Sequence, residues 1–334
     1  MLALFLGVLP VLLFLAALRV MDSYKLVSPR EVGLSNAAGA LAAGIAFVLH
    51  AGLLYRAHVP VWIVTRYVAP PIEEILKAIW IIYLIRSHRV GFMVDAGIQG
   101  FAVGTGFAVV ENLYYAWALH ASNPVLWIVR GSGTAILHGS TTAIVGILAK
   151  DLSDRHGWRP ALAALPGLGV AVVVHSLYNH LLFNPLFATA VLLGLMPLLT
   201  VVIYERSERA TRDWLGFGLD SDIERLELLL EGSERDTPIG EYFESLRHRF
   251  SGPVMADMVC LLRIHLELSM RAKGILIARS AGVELPPDDS LVKNLEELRY
   301  LERSIGGTGR LAMLPLLRTS SRDLWQITML RRSH

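Results

Sequence analysis

Residues 59–85 read VPVWIVTRYVAPPIEEILKAIWIIYLI, and the nine letters at their centre, PPIEEILKA (Pro70 to Ala78), decide how this part of the chain is built. At about 1.5 Å per residue, a helix over the whole run is long enough to cross a hydrocarbon core roughly 30 Å thick. Yet Glu73 and Glu74 sit in its middle. An ionised carboxylate near the bilayer centre costs roughly 2.5 kcal/mol or more even on lenient insertion scales. The pair must therefore face a polar interior and not lipid, which requires other helices to enclose it. Pro70-Pro71, separated from the pair by Ile72 alone, is expected to interrupt the helix and to free backbone groups there.

The composition agrees with a membrane protein. Of the 334 residues, 54% are hydrophobic and 18% charged, and the mean hydropathy is +0.49. The charge is unevenly spread: residues 1–205 hold 12 Lys/Arg and 9 Asp/Glu, residues 206–334 hold 19 and 20. The expectation is a transmembrane domain over 1–205 followed by a soluble helical domain over 206–334. A net charge of +2 without a long basic run gives no reason to expect a nucleic-acid partner. One cysteine, Cys260, excludes an intrachain disulfide.

The fold class expected is all-α: a bundle of about seven transmembrane helices, then a cytoplasmic helical domain. The opening MLALFLGVLPVLLFLAALRV lacks a basic n-region and a small-residue cleavage site, so it is read as a retained first helix. Further spans follow near residues 35–54, 59–85, 93–119, 126–149, 161–183 and 186–204. Lys25, Arg30, Arg86, Arg89, Lys150, Arg155 and Arg159 fall in alternate loops, and Arg206, Arg209 and Arg212 follow the last span. Arg56, Arg66 and Arg130 are exceptions, and the balance favours an N-terminus outside and a C-terminal domain in the cytoplasm. In that domain, helical periodicity marks a stripe through Ile223, Leu226, Leu229 and Leu230, a helix over 254–278, and one over 291–305 ended by Gly306-Gly307-Thr308-Gly309.

Four spans carry polar insertions: Glu73-Glu74 with Lys77, GFAVVENLYYA (106–116), ILHGSTTA (136–143) and VHSLYNHLLF (174–183). Glu73 and Lys77, Phe107 and Glu111, His138 and Thr142, and His175 and Asn179 are each four apart, one face of a helix. Measured along the helices, Glu73 lies roughly 20 Å from the cytoplasmic rim, His138 roughly 18 Å, His175 roughly 24 Å and Glu111 roughly 30 Å or less. One shared site on the outer side of the midplane is the economical reading. Glu111, His138 and His175 form a Glu/His/His set suited to catalytic zinc with a position open for water. Glu73, or alternatively Glu74, would take a proton from the activated water. Asn179 would donate to a developing oxyanion or orient a ligand, and Lys77 would hold the glutamate pair or neutralise one of its charges.

Other polar residues have blander readings. His50, His58, His88 and His120 fall at expected helix ends and read as interfacial, and Arg130 as snorkelling to the outer interface. Asp95 reads as a cap and His180 as structural. Tyr114, Tyr115, Trp117 and Trp127 read as an aromatic belt, and His248 and His265 as surface or packing residues.

At EExxK (Glu73 to Lys77), FxxxEN (Phe107 to Asn112), the histidine of LHG (His138) and HxxxN (His175 to Asn179), the sequence resembles the PrsW-type intramembrane proteases. These are relatives of the CAAX-processing and bacteriocin-immunity membrane proteases. The resemblance covers roughly residues 35–205. It implies a polytopic protease in the lipid bilayer that cuts single-pass membrane proteins, anti-sigma-factor-like, on the extracytoplasmic side. It also implies that the paired glutamates, the second-motif glutamate and the histidines act in catalysis. Where CAAX-processing relatives carry histidine this chain has Glu111, which weakens any transfer of prenyl-protein specificity; a metal-free glutamate mechanism stays open. The competing class is a non-catalytic membrane protein, either a proton- or metal-coupled transporter or a protease-like scaffold. The clustering of polar groups at one depth and the lack of an inverted repeat favour the protease. The sequence does not define the oligomeric state.

Overall fold

The computed structural model describes residues 2–119, 123–180, 182–231, 237–283, 285–286, 289–317 and 320–332. Among these the regular structure is all helix, with no strand. The chain divides into two compact units, Met1–Glu208 and Arg209–His334.

The first unit holds α1 (Leu2–Met21), α2 (Pro29–Tyr55), α3 (Val61–Ile63), α4 (Ala69–Arg86), α5 (Met93–Leu119), α6 (Pro124–Ile128), α7 (Ala135–His156), α8 (Pro160–Asn179) and the start of α9 (Pro185–Glu231). A π turn, Val64–Val68, joins α3 to α4, and a second, Val129–Thr134, joins α6 to α7. Among the described residues, 5 helical stretches are long and apolar enough to cross a membrane: Pro29–Tyr55, Met93–Leu119, Pro124–His156, Pro160–Asn179 and Pro185–Leu230. Two of the expected spans fall outside that group. α1 contributes a shorter apolar stretch, Phe5–Met21, and α4 carries Glu73, Glu74, Lys77 and Arg86 within 18 residues.

The helix starts follow from sequence. Ser28 caps α2 with a capping box: its hydroxyl accepts from Glu31 N–H at 3.3 Å, and Glu31 Oε2 accepts from Ser28 N–H at 2.9 Å. Gly157 ends α7 in the left-handed region, at φ 64. α5 lies at the centre, buried almost continuously from Val94 to Ala108. Small residues allow this, because a Cβ on Gly104 would sit 2.1 Å from the His138 carbonyl oxygen of α7, and one on Gly106 would sit 1.9 Å from that of Asn36 on α2.

α4 is inverted relative to a soluble helix. Glu73, Glu74 and Lys77 are buried while Ile75, Ile79 and Tyr83 are exposed, the pattern of a helix with lipid outside and polar groups within. The expected interruption at Pro70-Pro71 takes a different form. The two prolines occupy the first turn of α4, where a missing N–H is tolerated. The irregularity lies just before them, in the π turn, where Ala69 N–H donates to Val64 O.

The second unit has its own apolar core, including Phe243, Leu246, Met258, Leu261, Leu268, Leu291, Leu298 and Met313. It comprises the end of α9, α10 (Pro238–Leu246), α11 (Gly252–Ser280), α12 (Asp289–Ser304), α13 (Gly306–Leu317) and α14 (Ser321–Arg332). α13 was not expected. Gly306 ends α12 as anticipated, at φ 69, but the glycines after it continue directly into another helix. Inside this unit Lys273 is buried and donates to Asp222 Oδ2 at 2.5 Å and to the Gly218 carbonyl at 3.0 Å, which satisfies its charge.

Candidate functional site

Four helices converge on one polar cluster. α4 supplies Glu73, Glu74 and Lys77, which are 8%, 1% and 0% exposed, while α7 supplies His138 at 1% and α8 His175 at 2%. α5 supplies Glu111, whose side chain is 24% exposed. The sequence-derived residues, Asn179 apart, are thus brought to one place.

Glu74 is the hub. Its Oε1 accepts from Lys77 Nζ at 2.7 Å, from His175 Nδ1 at 2.8 Å and from Thr141 Oγ1 at 3.1 Å. Its Oε2 is buried without a hydrogen-bond partner. Because His175 Nδ1–H donates to Glu74, the lone pair of His175 lies on Nε2, 3.8 Å from Glu73 Oε2. Lys77 also donates to His138 Nδ1 at 3.2 Å and lies 5.1 Å from the centre of the Phe107 ring. That bond leaves the proton of a neutral His138 on Nε2, which donates to Glu111 Oε2 at 3.2 Å. The His138 ring rests against Phe107, centroids 5.0 Å apart. The FxxxEN spacing thus has a physical meaning: one turn of α5 offers His138 both a platform and a carboxylate.

Two residues that were read as interfacial turn inward. Arg130 does not snorkel outward: Nη2 pairs with Glu111 Oε2 at 3.1 Å, Nε donates to Asn112 Oδ1 at 2.9 Å, and the guanidinium stacks 3.8 Å from the Tyr115 ring centre. Asn112 completes the tie by donating to the Gly7 carbonyl of α1 at 2.7 Å. The cause is the π turn, which carries Arg130 beside Glu111, where an ion pair replaces hydration. His50 Nδ1 lies 3.9 Å from Glu73 Oε1, and its Nε2 is buried without a partner. Trp127, read as part of the aromatic belt, is only 2% exposed, whereas Trp117 is 72% exposed. Asp95 does cap: its carboxylate accepts from Gly91 N–H at 2.7 Å and Phe92 N–H at 2.8 Å. His120 lies outside the described residues.

Asn179 is placed differently from the cluster. Its amide donates to the Thr65 carbonyl at 3.0 Å, and Ser176 Oγ donates to the Arg66 carbonyl at 2.5 Å. The carbonyls expected to stand open beside the double proline are therefore taken.

Donor atoms of Glu73, His138 and His175, one from each, all lie within 4.8 Å of one another. Tetrahedral zinc with bonds of about 2.0–2.1 Å holds its ligand atoms roughly 3.4 Å apart, so the three close on an ion with shifts of about an ångström. Donor chemistry fits as well, since imidazole and carboxylate suit zinc. The His175–Glu74 bond is the outer-shell contact that sets a ligand tautomer. The carboxylate of this convergent set is Glu73, not Glu111.

The profile described as "PrsW family intramembrane metalloprotease" matches residues 29–204, more than half of the chain. The chain belongs to this family. As a PrsW-family metalloprotease it is an integral multi-pass membrane protein, and its substrates are membrane-embedded proteins. The matched region contains every residue of the cluster. No curated protein and no solved structure matches the chain.

Thr141, Arg130, His50 and Ser176 were missed by sequence reasoning. Thr141 carried a signal, being three residues after His138 on the same face. Ser176 depends on the π turn at 64–68, marked in the sequence by the double proline after it, and Arg130 on the π turn at 129–134, VRGSGT, which contains no proline.

Proposed function

We propose that this PrsW-family protein is a zinc-dependent endopeptidase that cuts single-pass, anti-sigma-factor-like membrane proteins near the extracytoplasmic side. The N-terminus lies outside and residues 206–334 form a soluble domain in the cytoplasm, as the loop charges favour. The observation that carries the reading is the convergence of Glu73, His138 and His175 within 4.8 Å, with His175 oriented by Glu74.

Glu73, His138 and His175 Nε2 would hold the ion. Bound there, zinc supplies a Lewis acid that acidifies water and polarises a carbonyl. A neutral His138 keeps its proton on Nε2, donated to Glu111, so the nitrogen it would give the ion is Nδ1, released by Lys77, which keeps its bond to Glu74. Glu74 orients His175 through Oε1 and receives a proton on Oε2, the oxygen with no partner. Lys77 balances the Glu74 charge throughout. Access comes from the side where side chains keep some exposure: Glu111 at 24%, His50 at 18% and Arg130 at 13%. A substrate helix must unwind at that level, since an intact helix ties up its carbonyls.

Purified protein reconstituted with a single-pass reporter tests this, with the fragments mapped by mass spectrometry. Cuts are expected in the outer part of the reporter's membrane helix. Cuts in its cytoplasmic third would contradict the orientation, and no cleavage by metal-loaded protein would contradict the catalytic assignment.

A further inference from the structure

In a π turn each carbonyl accepts from the N–H five residues on, as Val64 O does from Ala69. In that register Thr65 O would be served by residue 70 and Arg66 O by residue 71. Both are prolines and have no N–H. These are the carbonyls that α8 reaches: Asn179 Nδ2 donates to Thr65 O at 3.0 Å and Ser176 Oγ to Arg66 O at 2.5 Å. Ser176 follows His175 directly, and His175 Nδ1 lies 2.8 Å from Glu74 Oε1. α8 is thus joined to the start of α4 at three points within little more than one turn.

We infer that Ser176, with Asn179, is a positioning residue: it replaces the N–H that Pro71 lacks and so holds His175 in register with Glu73 and Glu74. The double proline has a use in this arrangement. Proline leaves two carbonyls without ladder partners at the level of the site, and two side chains from the neighbouring helix fill them. The backbone of α4 is then indexed to α8 and not merely packed on it. The kinetic readout rests on the protease assignment; the stability readout does not.

The test is suppression, in full-length protein in lipid nanodiscs. Ser176→Ala leaves Arg66 O unpaired, and is expected to lower kcat by about tenfold or more through misplacement of the site, to weaken zinc retention against a chelator, and to lower Tm by roughly 2–4 °C. Ser176→Thr, which keeps the hydroxyl, restores most of each. Pro71→Ala supplies the missing N–H and is expected to rescue Ser176→Ala within about twofold of the Pro71→Ala single variant. The same proline change does not rescue Asn179→Ala, whose carbonyl is served by Pro70→Ala instead. Ser176→Ala with wild-type Tm and zinc retention, or a defect that Pro71→Ala leaves untouched, overturns the inference. Should wild type cleave nothing, the catalytic assignment fails, and the Tm comparison still decides the role of Ser176.

Discussion

Replacing Gly104 by alanine changes no polar atom of the site, yet it should disable the site. The new Cβ would sit 2.1 Å from the His138 carbonyl oxygen, 2.4 Å from its carbon and 2.5 Å from Gly139 Cα, where real Cβ atoms stay beyond 3.0 Å. All three are backbone atoms, so no rotamer change relieves the contact. α5 and α7 must separate by about 0.9 Å at the least, at the level of His138, to restore that contact limit. Overpacking of this kind costs about 1–3 kcal/mol in stability, and misplacement of a catalytic group by about 1 Å costs roughly 10²-fold in rate. Cleavage of a reporter in proteoliposomes, with zinc content measured alongside, reads both effects. Gly169→Ala on α8 is the control: its Cβ meets nothing within 4 Å. It should gain about 0.5–1 kcal/mol from helix propensity at unchanged rate. Wild-type kcat and zinc content in Gly104→Ala, or equal damage from both variants, would refute the close-approach reasoning.

Further outcomes follow from the same contacts. Glu74→Gln should lose about 10²–10⁴ in rate, because the amide keeps the shape of the group and removes its proton acceptor. It should also lower Tm, because it leaves the wholly buried Lys77 without its anion; single-turnover cleavage by the folded variant checks the first effect and a melting curve the second. Arg130→Gln should destabilise the chain by about 3 kcal/mol, since it leaves Glu111 without its cation, and adding Glu111→Gln should recover part of that loss in a thermal double-mutant cycle. Burial holds the imidazole of His265, in the second unit, below its usual 6.5, with Asp323 and Asp222 opposing. The unfolded chain therefore takes up the proton more readily, so the contribution to stability is complete above 6.5 and is lost as pH falls from there toward the lower folded value. Melting followed by tryptophan fluorescence should show Tm falling between pH 7.5 and 5.5, with a shallower slope in His265→Gln.

What the sequence made legible was the face of each helix. Carboxylates in an apolar run admit one placement, inward, and the four-residue spacings put Glu111, His138 and His175 on inward stripes. Which carboxylate meets which histidine was not legible, because spacing along one helix sets an angle and not the rotation of its neighbours. Glu73, expected as the base, converges with the histidines, while Glu111 is held by Arg130. Arg130 was hidden for a related reason: a lone cation near a helix end has snorkelling as its default, and only the π turn at 129–134 carries it to Glu111. The prolines at 70 and 71 were visible, but their consequence depends on Ser176 and Asn179, more than 100 residues away. In the second unit the glycines after α12 are equally good at ending one helix and at permitting the bend into α13.

Zinc content of matched variants tests the assignment of the site most directly. Elemental analysis of purified wild type should find close to one zinc per chain. Zinc should be lost in Glu73→Gln, His138→Ala and His175→Ala and retained in Glu111→Gln. Active wild-type protein without metal, or zinc kept in Glu73→Gln and lost in Glu111→Gln, would contradict a centre built on Glu73, His138 and His175.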